Sequence, residues 1–144
     1  MGMRRDAREK VIQFLYYKES VPEYSLDQTL TYFWESQETK PDTKKFATRL
    51  IQGILEKQKE IDLKIEALSK HWDFNRIAPI DRNILRLAFF EMLHCDDIPP
   101  VVSINEAIEI AKKFSTEESG KFVNGFLDVL RKDLPRPARH SAGK

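Results

Sequence analysis

The sequence predicts an all-α protein, a compact helical fold of about six or seven helices. Apolar residues recur three and four positions apart along most of the 144-residue chain, which is the spacing of one helix face. Five glycines and seven prolines are few for this length, and no segment alternates apolar and polar residues as a half-buried strand does. The length suits one compact unit or two small subdomains that share a core.

The first helices follow from apolar stripes and from the polar segments between them. One stripe predicts a helix over about residues 4–19, and a second predicts a helix over about 25–36. A polar connection comes next. After it, Asp42 or Thr43 is expected to cap the following helix, because both side chains can accept a hydrogen bond from a free backbone amide.

The middle of the chain combines a long apolar stripe with a helix that is apolar on most sides. The stripe continues to about residue 70, and Gly53 is expected to bend it together with the polar residues that follow. Residues 72–77 look like a short turn or a single helical turn. Pro79 suits the first position of a helix that runs to about Cys95. Because that helix is apolar nearly all round, it is expected to be central.

Two helix-start patterns predict the last helices. Ser103 and Glu106 have the spacing of a capping box, which predicts a short helix over about residues 104–114. A similar pattern opens a final helix over about 116–133. The tail, residues 135–144, contains prolines and basic residues and is expected to be disordered.

Charge is unevenly distributed, although the formal net charge is only +1. Residues 1–10 carry four basic residues against two acidic ones, and residues 131–144 carry five against one. The middle of the chain is therefore acidic overall. This pattern permits an anionic ligand and a basic protein partner on different surfaces.

The sequence lacks the motifs that are typical of several function classes. The three histidines have no second ligand at metal spacing, and there is no glycine-rich phosphate loop. No Ser–His or Cys–His arrangement indicates nucleophilic catalysis, so no enzyme activity, cofactor or metal is expected. The single cysteine, Cys95, rules out an intramolecular disulfide and is expected to be buried. Without a membrane-length apolar run or a recognisable signal peptide, the protein is expected to be soluble and intracellular.

The opening helix indicates an anion-binding surface. A helical wheel places Arg5, Arg8 and Tyr16 on an outer face opposite the apolar stripe, with Arg4 on the flank. Arginine makes bidentate contacts with phosphate, and tyrosine offers a flat face on which an unstacked base can lie. A surface of this kind can hold an anion, and single-stranded RNA is one candidate. The alternative is a solvated face in which Arg5 pairs with Glu9.

The final helix carries a second candidate surface. Lys121 and Asn124 are residue types that hold phosphate and read a base edge. Gly125 is unfavourable inside a helix, and it indicates close approach either of another helix of the core or of a ligand backbone. On the central helix, Arg82 and Arg86 share a face, where salt bridging within the fold is the simpler role for each.

Three stretches together resemble the NusB family of transcription antitermination factors. They are RRDAREKVIQFLYY, IDRNILRLAFFEML and INEAIEIAKKFSTEESGKFVNGFLDVL. The resemblance implies two small helical subdomains, about 1–70 and 71–134, in the cytoplasm and without catalytic activity. NusB-like proteins bind the boxA element of nascent RNA together with NusE, which is also a ribosomal small-subunit protein. The pair helps RNA polymerase to read through terminators, notably in ribosomal RNA operons.

The resemblance also implies site residues by position. The expected RNA contacts are Arg4, Arg5, Arg8, Tyr16, Arg86, Phe114, Lys121 and Asn124. The expected contacts to NusE are Asp81 and Glu106. Asp6 interrupts the arginine run that is usual in the family, which predicts a greater dependence on the partner for RNA binding.

Two other interpretations stay open. One is a helical adaptor that binds a protein partner and whose arginines are only solubilising. The other is a ribosome-maturation accessory that binds RNA without boxA specificity. The apolar face of the opening helix is compatible with a homodimer as well as with an internal core.

Overall fold

A computed structural model describes residues 2–69 and 73–135. Over these residues the chain forms seven α-helices and one 3-10 helix, Phe74–Arg76, which confirms the all-α prediction. The α-helices are α1 (Met3–Ser20), α2 (Leu26–Glu35), α3 (Pro41–Glu56), α4 (Gln58–Leu68), α5 (Pro79–His94), α6 (Pro100–Phe114) and α7 (Glu117–Asp133). None of the described helices combines the length and the apolar character that crossing a membrane requires.

Two helices start at a proline rather than at a predicted polar cap. α3 begins at Pro41 and α6 begins at Pro100, where the missing N–H costs nothing because the first amides of a helix have no partner inside it. The prediction that Asp42 or Thr43 caps α3 is therefore wrong. The capping box predicted at Ser103 is also wrong, since α6 starts three residues earlier and this serine lies inside it.

Polar caps hold the starts of α2 and α7. Ser25 and Gln28 form a reciprocal capping box at the start of α2. Thr116 accepts a hydrogen bond from the backbone N–H of Ser119 and caps α7, close to the predicted boundary. Each cap satisfies an amide that the helix itself leaves free.

The long apolar stripe after residue 41 belongs to two helices, α3 and α4, which meet at Lys57. Gly53 lies inside α3, and its role is close packing. A Cβ at this position would overlap the ring of Phe90 on α5. Glycine therefore lets the Phe90 ring approach the backbone of α3.

The helix α5 lies at the centre of the fold, as predicted. It packs against α1, α3, α4, α6 and α7, and ten of its sixteen residues are buried. Cys95 is buried at its end. The buried residues of the first and second halves of the chain belong to one apolar cluster. The division into subdomains at residues 70 and 71 stays a prediction, and the tail predicted to be disordered lies, after residue 135, outside the described residues.

Candidate nucleic-acid interface

The basic start of α1 packs on the ring of Phe46 from α3. Cζ of Arg4 lies 4.5 Å from the ring centroid, and Cζ of Arg49 lies 5.8 Å from it. Asp97, in the loop between α5 and α6, accepts hydrogen bonds of 2.7 and 3.2 Å from Arg49 and lies 3.9 Å from Arg4. The hydrogen bonding from Arg49 holds the pKa of Asp97 below its usual value. Two arginines far apart in the sequence thus share one aromatic ring and one carboxylate.

Arg5 extends this basic surface toward α6. Its Nε and Nη2 donate to the two carboxylate oxygens of Glu106 over 2.8 and 2.7 Å. This hydrogen bond raises the pKa of Arg5 and lowers the pKa of Glu106. Glu9 is bound by Lys113 over 3.0 Å, so the alternative pair between Arg5 and Glu9 is replaced by two links from α1 to α6. We call Arg4, Arg5 and Arg49 the arginine rim.

Arg8 lies inside the fold, three residues after Arg5. Only 3% of its surface is exposed, and its Nε and Nη2 donate to Glu91 of α5 over 2.7 and 2.9 Å. The hydroxyl of Ser103 donates to the same carboxylate over 2.7 Å. The prediction that this side of α1 faces outward is wrong for Arg8, and Ile12, one turn further along, is also buried. Glu91, a carboxylate within the apolar segment of α5, is the sequence signal that could have indicated a buried cation.

Arg86 also sits in a network of side chains. It donates to Asp62 over 2.8 and 3.1 Å, to Asn83 over 3.0 Å and to Glu19 over 3.3 Å, and it is 7% exposed. This confirms salt bridging within the fold as its structural role. Because its donors already bond to three side chains and it is buried, contact with RNA at Arg86 is a prediction that the geometry does not favour.

The remaining predicted RNA contacts lie at the surface. Tyr16 is 62% exposed, and Lys121 and Asn124 are exposed on α7. Phe114 is half-buried at the end of α6, with the ammonium of Lys113 5.9 Å from its ring centroid. No contact described here joins Tyr16 to the two α7 residues.

Gly125 separates the two explanations offered for a glycine inside α7. No described atom lies within 4 Å of the position that a Cβ would occupy. The explanation by another helix of the core is therefore wrong, because no helix of the described chain reaches this position. The surface next to Asn124 is open to a ligand backbone, which remains the other explanation.

The two residues predicted to contact a protein partner have separate surroundings. Asp81, in the first turn of α5, accepts a hydrogen bond from the hydroxyl of Ser119 at the start of α7. Glu106 binds Arg5, as described above. No described contact joins the two carboxylates, and their role toward a partner stays a prediction.

Comparison with known proteins gives one consistent family. The model of the NusB family matches residues 5–132. The transcription antitermination protein NusB of Methylacidiphilum infernorum is 46% identical over 138 residues, which are 96% of each chain. The NusB protein of Trichlorobacter lovleyi is 48% identical over 130 residues, 90% of this chain and 91% of that protein.

Solved structures of NusB share the fold. A solved structure of T. maritima NusB is 40% identical to this chain, with a TM-score of 0.80. The match covers 96% of this chain and 92% of that one. A crystal structure of the antitermination factors NusB and NusE in complex with dsRNA contains a chain that is 26% identical, with a TM-score of 0.80 over 92% of this chain and 98% of that one. Together with the match over nearly the whole sequence, these similarities show that the chain belongs to the NusB family.

Proposed function

We propose that the protein is an RNA-binding transcription antitermination factor that binds boxA-type RNA together with NusE. Family membership gives the class of function, and the arginine rim is the observation that carries the proposal. Arg4 and Arg49 share Phe46 and Asp97, and Arg5 follows Arg4 at the start of α1. All three side chains are exposed or partly exposed. A relative of known structure was crystallised with NusE and dsRNA, which supports NusE and RNA as partners of this chain.

Phosphate binding would use both the rim and the start of α1. The rim arginines keep part of their surface in solvent while one carboxylate orients each of them. Such oriented guanidinium groups suit phosphate, which they contact through paired N–H donors. The first turn of α1 has no side-chain cap at Gly2, so its free backbone amides also favour an anion.

Base contacts would come from residues beyond the rim. Tyr16 offers an exposed ring for stacking, and Asn124 offers an amide that can pair with a base edge beside the open surface at Gly125. Lys121 and Phe114 would add a phosphate contact and an aromatic edge. Arg8 acts indirectly, because it fixes α1 against α5 through Glu91.

The partner and the cellular role follow from the family. NusE would bind the surface that contains Asp81, with Glu106 at its border with the rim, and would extend the RNA-binding surface. The complex would help RNA polymerase to read through terminators, notably in ribosomal RNA operons. The protein would act in the cytoplasm, by binding and without catalysis.

The test is a binding titration with a boxA-type single strand and a scrambled strand, at two salt concentrations, with and without NusE. The proposal predicts a preference for boxA that increases when NusE is present and weakens as salt rises. Equal and weak binding of both strands in every condition would contradict it. If NusE alone still bound, the adaptor function would take its place, because the rim arginines already have carboxylate partners.

A further inference from the structure

A second basic surface lies on α3, next to Arg49 of the arginine rim. The segment from Lys40 to Arg49 contains four basic residues and one acidic residue, Asp42, in a part of the chain that is acidic overall. Lys44 and Lys45 are both exposed. Among the described residues, no carboxylate oxygen lies within 4.0 Å of either ammonium group. We call Lys44, Lys45 and the neighbouring Trp34 the α3 surface.

An aromatic ring stands beside these lysines. The Nζ of Lys44 lies 5.8 Å from the ring centroid of Trp34 on α2. A surface hollow of about 360 Å³ between the two helices is lined by both residues, together with Leu30, Thr31, Glu35 and Thr48. The indole Nε1 is buried and has no hydrogen-bond acceptor among the described residues. A ring with flexible cations next to it is the arrangement on which single-stranded nucleic acids stack and neutralise their phosphates.

The α3 surface is continuous with the arginine rim. Lys45 and Arg49 are four residues apart in α3, so they lie on the same face, one helical turn from each other. Arg49 in turn shares Asp97 and the Phe46 ring with Arg4. A strand that leaves the rim along α3 therefore meets Arg49 first, then Lys45, and then Lys44 with Trp34.

We propose that RNA flanking the element held at the arginine rim follows α3, with phosphates on Lys44 and Lys45 and one base on Trp34. This inference rests on the proposed function and adds a binding site to it. Lysine contacts phosphate as a mobile point charge, and an aromatic face accepts any base, so the site adds affinity without sequence preference. Glu35 borders the hollow on α2 and repels phosphate, so the path ends at Trp34.

RNA is favoured over an acidic protein because of the continuity with the rim. An acidic protein needs only the charges, whereas a strand needs charges at successive phosphate positions and an aromatic ring beside them. The α3 surface provides both. An acidic protein partner is the outcome if RNA binding proves independent of these lysines.

The test compares a boxA-type strand with the same strand extended at its 5′ or 3′ end by unstructured nucleotides. The protein is the full chain, as wild type, as Lys44→Gln/Lys45→Gln, and as Lys57→Gln/Lys59→Gln. The last variant removes the same charge from two other exposed lysines, at the junction of α3 and α4. All four lysines are exposed, so the variants are expected to unfold at the wild-type temperature.

The expected result is specific to one end of the RNA and to one pair of lysines. Extension at one end should tighten binding to the wild type and to the control variant, and it should add little for Lys44→Gln/Lys45→Gln. For the extended strand, that variant should reduce the slope of log K against log[salt] by about 1.4, which corresponds to two phosphate contacts of a single strand. Binding of the unextended strand should be the same for all three proteins.

Tryptophan fluorescence reports the base contact directly. The chain has two tryptophans, so Trp72→Phe leaves Trp34 as the only tryptophan, and excitation that tyrosine does not absorb reports on it alone. Quenching by the extended strand and not by the short one is expected. The inference is overturned if neither extension tightens wild-type binding, or if the gain survives loss of Lys44 and Lys45. If the short strand itself fails to bind, the proposed function fails instead, and this inference falls with it.

Discussion

Two arginine–glutamate pairs lie one turn apart on α1 and differ mainly in burial. Arg5 binds Glu106, and Arg8 binds Glu91, each through two N–H donors over 2.7 to 2.9 Å. The side chains of the first pair are 35% and 17% exposed, whereas those of the second are 3% and 1% exposed. The same chemistry therefore occurs once at the rim of the molecule and once in its interior.

The difference in burial assigns the pairs different roles. At the rim, water screens the attraction, so the pair contributes little to stability and its arginine remains able to contact an anion. In the interior, each charge has lost its water and depends on its partner. The buried pair fixes α1 on α5 and, through Ser103, on α6. The orientation of the rim thus depends on an arginine that does not reach the surface.

The largest expected effect is the loss of the buried cation. Arg8→Met leaves Glu91 buried without its main partner, so the free energy of unfolding should fall by about 3–5 kcal/mol. Denaturant unfolding measures this change. Adding Glu91→Leu to the same chain should restore most of the loss, because no buried charge is then left unpaired. A single variant as stable as the wild type would show that the pair is not structural.

The second effect concerns the hydroxyl on the buried carboxylate. Ser103→Ala removes one donor from Glu91 while Arg8 stays in place. A hydrogen bond to a charged group contributes about 1.5–3 kcal/mol, and the free energy of unfolding should fall by about that amount. Ser119→Ala provides a comparison, since its hydroxyl binds Asp81 in a more exposed position and should matter less. If both variants lost the same free energy of unfolding, burial would not make the hydrogen bond to Glu91 more stabilising than the one to Asp81.

Removing the rim pair should change stability least. Arg5→Ala or Glu106→Ala is expected to lower the free energy of unfolding by only about 0–1 kcal/mol, because both side chains remain partly in water. The same unfolding experiment as for Arg8 gives the comparison. A loss as large as that of Arg8→Met would mean that the rim is part of the structural core.

The pH dependence of the rim pair sharpens the contrast further. The folded-state pKa of Glu106 lies below its ordinary value because Arg5 donates to it. The pair therefore contributes stability above the ordinary carboxyl pKa of about 4.3, and this contribution is lost as the pH falls through the lower folded-state value. The difference in stability between wild type and Glu106→Gln should be present at neutral pH and disappear in acid. A difference that grows on acidification would contradict this assignment.

Helix order could be predicted from the sequence because apolar spacing follows directly from the helical repeat. The exact starts of α3 and α6 could not be, because Pro41 and Pro100 compete with nearby polar caps and the first helical position accepts proline without loss. Which start is used depends on the packing of the whole helix. The central position of α5 was predictable, since apolar residues lie on most of its sides.

The candidate site was less accessible to sequence reasoning. A wheel drawn from apolar residues alone placed Arg8 outside, although α5 covers that side of α1 and supplies Glu91. The pattern describes one helix, whereas a buried ion pair requires two. Arg49 was missed for the same reason, because only the tertiary fold brings it to Phe46 and Asp97 beside Arg4. Tyr16, Lys121 and Asn124 could be placed at the surface from the sequence, because their exposure does not depend on a partner side chain from another helix.

The most direct test of the account is the salt dependence of boxA-type RNA binding to Arg4→Gln/Arg5→Gln, measured beside the wild type and Lys57→Gln/Lys59→Gln. The account predicts weaker binding and a slope of log K against log[salt] reduced by about 1.4 for the rim variant only, with its stability nearly unchanged. If the rim variant kept the wild-type affinity and slope while remaining folded, the arginine rim would not be the RNA-binding surface.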